Sequence, residues 1–155
     1  MNTAPEMPWS TVMLLISAGH HLQRQIESDL ADIGLSLRQL GALGHIAGNP
    51  ELSYSDLARR AGITTQSMRA TILMLEEQGA VRCDLAGQGR RAHLELTQDG
   101  ERLLAEARRM ISLRDRTFAE GLEAEEEAAL HAALHRGCRT RRERGVRGWG
   151  EGDAR

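Results

Sequence analysis

The sequence predicts a mainly α protein with one small β-hairpin, and three observations carry that expectation. Apolar residues recur at helical spacing through most of the 155 residues. Two short helical stretches meet at the tight link Gly62-Ile63-Thr64. One pair of strand-like segments, AVRCD and AHLEL, flanks the basic loop GQGRR. Bulk composition agrees with a single domain and a proper core. Hydrophobic residues make up 41% and aromatic residues only 3%, so the core has to be built from Leu, Ala, Ile and Met.

From Trp9 to Ile33 the apolar residues Val12, Ile16, Leu22, Ile26, Leu30 and Ile33 fall at helical spacing, and Gly34 ends the helix. Ser36 caps the next helix, which carries Leu37, Leu40, Leu43 and Ala47 up to the stop Gly48-Asn49-Pro50. Ser53 opens a helix of about two turns, SYSDLARRAG, in which Asp56 completes an approximate capping box and Gly62 terminates. Thr64 caps its partner, TQSMRATILMLEEQ, closed by Gly79. There Met68, Ile72 and Leu75 face inward, which turns Thr65, Gln66, Arg69 and Ala70 outward. Helix, tight link and helix make a helix-turn-helix pattern.

Within AHLEL, Leu94 and Leu96 alternate with His93 and Glu95, the period of a half-buried strand. From Gln98 to Leu122 a long helix sets Leu104, Ile111 and Phe118 at seven-residue steps, with Leu103, Ala107 and Met110 alongside. A last helix, roughly 123–137, gathers Leu130, Ala133, Leu134 and Gly137 on one face. Residues 138–155 are rich in Gly and Arg with almost nothing to bury, and they read as a disordered tail.

No run of about 18 apolar residues could span a bilayer, and MNTAPEMPWS lacks the pattern of a signal peptide. The two cysteines, Cys83 and Cys138, make no disulfide framework and fit a reduced cytoplasm. A net charge of -2 runs against nucleic-acid binding at first sight. Distribution matters more than the sum. All twenty basic residues are Arg, clustered at 59–60, 90–91 and 139–147, while acidic residues crowd Glu120–Glu127. Basic patches can thus sit on an acidic scaffold.

In order along the chain, GLSLRQLGALGHI, LSYSDLARRAGITTQSMRATILMLEEQGAV and GRRAHLELTQDGERLL resemble the MarR family of bacterial transcription regulators. The resemblance covers roughly residues 9–137 and rests on an ordered set. Leu-Ala-Arg precedes the turn, Leu-Glu-x-x-Gly follows the second helix, and Leu-Thr-x-x-Gly follows the hairpin. It implies a winged helix-turn-helix domain embedded in a helical dimerisation framework. The implied parts are an N-terminal dimerisation helix over 1–34, a DNA-binding lobe over 35–97, C-terminal dimerisation helices over 98–137, and the tail. The implied assembly is a triangular homodimer with interlocked first and last helices. The implied function is a repressor on double-stranded DNA that lets go when a small molecule binds.

On that resemblance the second helix enters the major groove and the hairpin wing reaches toward the minor groove. Gln66 and Arg69 are then expected at base edges, Thr65 and Ser67 nearer phosphates, Ala70 beside them, and Arg90 and Arg91 on the wing. Arg suits both places, since it pairs bidentately with guanine and is drawn into the negative potential of a narrow minor groove. The wing departs from the family pattern, which has an Asp two residues before the key Arg. Here Gly89 or Gln88 stands there, so Arg90 and Arg91 both remain candidates. Ala70 stands where relatives often carry Arg, with Arg69 just before it. Carried over by motif, the effector pocket takes Ser17, His20, Leu37 and Ile111.

Other chemistries find less support in the sequence. Glu127, His131, His135 and Cys138 recur at steps of four, four and three, yet this matches no established zinc signature, and no metal is expected. Cys83 beside Arg82 would suit a redox-responsive regulator, against the plainer reading of a small half-buried strand residue. No Gly-rich phosphate loop, GxSxG or HExxH is present, so neither an enzyme nor a cofactor is expected. A purely structural helical dimerisation module leaves the Arg-bearing face of 65–70 unexplained.

Overall fold

The computed structural model describes residues 10–84 and 93–147, with 138–147 described through the backbone alone. The elements follow as α1 (Thr11–Asp32), α2 (Leu37–Gly48), α3 (Tyr54–Ala61), α4 (Thr65–Glu77), β1 (Val81–Asp84), β2 (His93–Leu96), α5 (Gln98–Ala119) and α6 (Ala124–Arg147). The chain divides into two compact units, Met1–Leu113 and Arg114–Arg155.

Each early helix begins on a side chain that satisfies amides left bare by the first turn. Ser36 and Gln39 close a full capping box on α2. Ser53 and Asp56 do the same on α3, so a carboxylate one methylene shorter than Glu still reaches back. Thr64 caps α4 by accepting from the Ser67 amide. Thr97 serves α5, its hydroxyl oxygen accepting from the Gly100 amide at 3.1 Å.

Three helices also end alike. Gly34, Gly62 and Gly79 hold φ of 71°, 68° and 71°, the left-handed region that a Cβ disfavours. In each case the next amide reaches back five residues, Leu35 to the Leu30 carbonyl, Ile63 to Ala58 and Ala80 to Leu75, at 2.8–3.0 Å. These are Schellman closures, and their flanking apolar side chains belong to the core.

That core lies in the first unit. Leu30, Leu43, Leu57, Met68, Ile72, Leu75 and Leu94 are its largest fully buried side chains. They bring together the end of α1, the helices α2, α3 and α4, and the hairpin. The strands pair antiparallel with Val81 opposite Leu96 and Cys83 opposite Leu94. Leu94 is buried as the alternation required, whereas Leu96 is only partly covered, like His93 and Glu95.

The Leu-Thr-x-x-Gly motif has a structural cause. The Thr97 amide donates to the Ala80 carbonyl at 3.1 Å, and the Thr97 hydroxyl donates to the Gly79 carbonyl at 2.5 Å. α5 therefore starts hard against the entry to β1. A Cβ on Gly100 would lie 1.9 Å from the Ala80 carbonyl oxygen, so only a residue without one fits.

Two boundaries differ from the sequence expectation. The long helix stops at Ala119 instead of 122, where the Leu122 amide turns back to the Ala119 carbonyl beside Gly121, a poor helix former. The tail expected over 138–155 is helical as far as Arg147. Arg is among the better helix formers and no Pro interrupts 138–147, so the helix continues although that stretch has little to bury.

Candidate nucleic-acid interface

The left-handed backbone at Gly62 reverses the chain in one residue and lets Thr64 cap α4 immediately. This fixes α4 against α3. Met68, Thr71, Ile72 and Leu75 form its buried stripe, and the Thr71 hydroxyl is satisfied by the Ser67 carbonyl at 2.9 Å. Gln66, Arg69 and Ala70 are exposed on the opposite side, as expected. Thr65, expected to face outward, is half-buried, and so is Ser67, which was expected nearer phosphates. Ser67 is engaged by the cap, where the Thr64 hydroxyl donates to the Ser67 hydroxyl at 2.9 Å.

Arg69 does not simply hang in solvent. Its guanidinium carbon lies 5.4 Å from the centre of the Tyr54 ring. The Tyr54 hydroxyl is 3.3 Å from the Cys83 sulfur on β1. Burial, and then the Cys83 thiol, push the Tyr54 hydroxyl well above its usual pKa. Cys83 is half-buried and engaged in this contact. Two further cations, Arg59 and Arg60, are exposed in the last turn of α3, with Arg59 paired to Asp56.

At the base of the hairpin, Arg82 donates to Glu95 at 2.7 Å across the strands and lies 3.6 Å from Asp84. His93 Nε2 meets the other oxygen of Glu95 at 2.7 Å. The His93 contact first, and Arg82 second, hold the Glu95 carboxyl below its usual range. Exposed pairs of this kind add little stability, but they organise the strands that carry the loop. Arg90 and Arg91, with Gly87, Gln88 and Gly89, lie outside the described residues.

The four expected effector residues are spread over the first unit. Ser17 and His20 are exposed on α1, and Ile111 is half-buried against the core. Leu37 lines a cleft of about 550 Å3 together with Glu27, Ala31, Arg38, Thr71 and Met74, and it alone of the four does so. A larger cleft of about 790 Å3 is lined by Ile33, Gln78, Asp99, Arg102, Glu106 and Arg109 among others. In the second unit the His131 and His135 rings stack 6.3 Å apart, 12° from parallel. Among the described residues no three His, Cys, Asp or Glu side chains converge as metal ligands, and the Cys138 side chain lies outside them.

Sequence reasoning missed Tyr54, Gln39 and Gln78. Gln39 is buried, and its amide reaches the Gln78 oxygen at 3.4 Å. Gln78 in turn donates to the Gly34 carbonyl at 3.0 Å. This relay ties the end of α1 and the start of α2 to the end of α4. Its one signal in the sequence is the Ser-x-x-Gln capping box at 36–39.

Residues 33–91 match the MarR family model, the span from the end of α1 past β1. The HTH-type transcriptional repressor Rv2887 of Mycobacterium tuberculosis is 29% identical over 124 residues, 79% of this chain and 89% of that protein. Its structure with DNA superimposes with a TM-score of 0.71 at 26% identity, over 83% of this chain and 97% of that one. Over that span the chain is similar to MarR-family regulators. Rv2887 has also been solved with salicylic acid, at a TM-score of 0.67 and 27% identity over 84% of this chain and 97% of that one. In this chain the helix-turn-helix of α3 and α4 is followed at once by the hairpin. Among the described residues, no helix is long and apolar enough to cross a membrane.

Proposed function

We propose that this chain is a sequence-specific DNA-binding transcription regulator, a cytoplasmic homodimer that represses from a near-palindromic operator and releases it on binding a small molecule. One observation carries the reading. α4 is anchored by a fully buried stripe, Met68, Ile72 and Leu75, while Gln66 and Arg69 stand exposed on its other side. A rigid helix with donors on its free face is what major-groove reading requires. The relative Rv2887, solved with DNA and with salicylic acid, supports both the nucleic-acid partner and the effector.

Binding to genomic fragments in a gel-shift assay is the first test. On the site so identified, Arg69→Ala should cost about 1–3 kcal/mol. Equal losses on specific and random duplexes would reduce Arg69 to a phosphate contact.

The wing residues enter on sequence grounds. Arg90→Ala with Arg91→Ala should flatten the salt dependence of binding by up to about two units of slope, because each Arg on a phosphate releases counterions. Parent-like binding at every salt concentration would leave α4 reading DNA alone.

Assembly is proposed from unsatisfied apolar surface. Val12 is 63% exposed and Ile16 45% exposed on α1, and Leu134 on α6 is 43% exposed. Sharing these side chains between subunits would remove them from water. Light scattering at micromolar concentration should therefore give a dimer, and a monodisperse monomer would end the proposal.

A further inference from the structure

We infer that Tyr54 is a positioning residue for base reading, its ring the floor on which the Arg69 guanidinium rests and the Cys83 thiol the tether that holds the ring. The inference rests on the proposal that α4 reads DNA. Three elements meet at this point. Tyr54 is the first residue of α3, Arg69 lies on the free face of α4, and Cys83 sits in β1 opposite Leu94.

The geometry favours reading over sequestration. At 5.4 Å from the ring centre, the Arg69 guanidinium is within the range of cation–π attraction. A guanidinium held over a ring keeps the N–H groups that point away from the ring available for pairing with a base. An unsupported Arg samples many rotamers, and ordering it on DNA costs entropy. A floor beneath it removes part of that freedom before DNA arrives. The ring itself is fixed from below, since the Tyr54 hydroxyl meets the Cys83 sulfur at 3.3 Å and both residues are half-buried. Tyr54 thus links the hairpin to the recognition helix through one side chain.

The test compares affinity for the duplex that the parent protein selects from a randomised pool with affinity for a scrambled duplex of equal composition. Tyr54→Leu should lower that ratio about two- to five-fold, the worth of an exposed cation–π contact. Tyr54→Phe keeps the ring and loses the tether, so its loss should be smaller. In an Arg69→Ala background, Tyr54→Leu should have no further effect. An unchanged ratio for Tyr54→Leu, an equal loss for Tyr54→Phe, or losses that multiply in the double variant would each overturn the inference. If Arg69→Ala alone leaves the ratio unchanged, base reading by Arg69 fails and takes this inference with it. If Arg69→Ala lowers the ratio and Tyr54→Leu does not, only the inference falls. Should Tyr54→Leu not fold, the parent protein decides by NMR. A ring current should shift the Arg69 side-chain resonances upfield, and ordinary arginine positions would rule out the stack.

Discussion

Gly100→Ala should destabilise the protein by about 3 kcal/mol, the upper part of the range for overpacking a tight contact. The added methyl would lie 1.9 Å from the Ala80 carbonyl oxygen and 2.9 Å from its carbonyl carbon. Both are backbone atoms, and neither can swing aside as a flexible side chain would. Relief requires α5 to lift away from β1, which breaks the bonds from Thr97 to Ala80 and Gly79. Gly41→Ala is the control. Gly41 is an exposed position inside α2 where a Cβ would meet nothing within 4 Å, so the same methyl should stabilise by about 0.4–1 kcal/mol. Thermal melts of the two variants should therefore move in opposite directions. If Gly100→Ala melts with the parent, α5 and β1 do not approach this closely.

Ile72→Ala should cost about 2–5 kcal/mol of stability through lost burial and the cavity left behind. Ile72 is fully buried at the centre of the α4 stripe, between Met68 and Leu75. A domain of this size has only some 5–15 kcal/mol to lose, so the urea midpoint should fall sharply. Arg69→Ala should lower DNA affinity while leaving folding stability almost unchanged. It is exposed, and losing its contact with Tyr54 should cost no more than about 1 kcal/mol of folding stability. Urea titrations beside DNA titrations would separate the two faces of one helix. An Ile72→Ala midpoint equal to the parent's would mean that α4 does not pack as described.

What could be read in the sequence was what is local. Ser53 and Asp56 announced the start of α3 because both partners of the box lie within one turn. The inward stripe of α4 followed from helical period alone, and Met68, Ile72 and Leu75 are all fully buried. The outward positions of Gln66 and Arg69 followed in turn. Pairings between distant residues were not legible, since Tyr54 and Cys83 are 29 residues apart and Gln39 and Gln78 are 39 apart. No periodicity encodes which side chains meet across such distances. Thr65 showed the same limit on a smaller scale, because facing outward by helical angle does not prevent partial cover. The end of α6 was misjudged for a different reason. Scarcity of apolar residues argues against burial, whereas a helix needs only tolerable propensity to continue.

The three glycine-terminated helix ends bear on how the chain finds its fold. Each is closed by a bond spanning five residues, from Leu35 to Leu30, Ile63 to Ala58 and Ala80 to Leu75. The entropy lost in closing a loop grows with its length, and loops of about ten residues already close within some 10–100 ns. These corners can therefore bend while their helices are still forming, before any distant contact exists. Chains dominated by such short-range contacts reach their native topology in microseconds to milliseconds. In this protein the change of direction between α1 and α2, between α3 and α4, and between α4 and β1 is settled locally. Long-range pairing then has to dock segments that already point the right way.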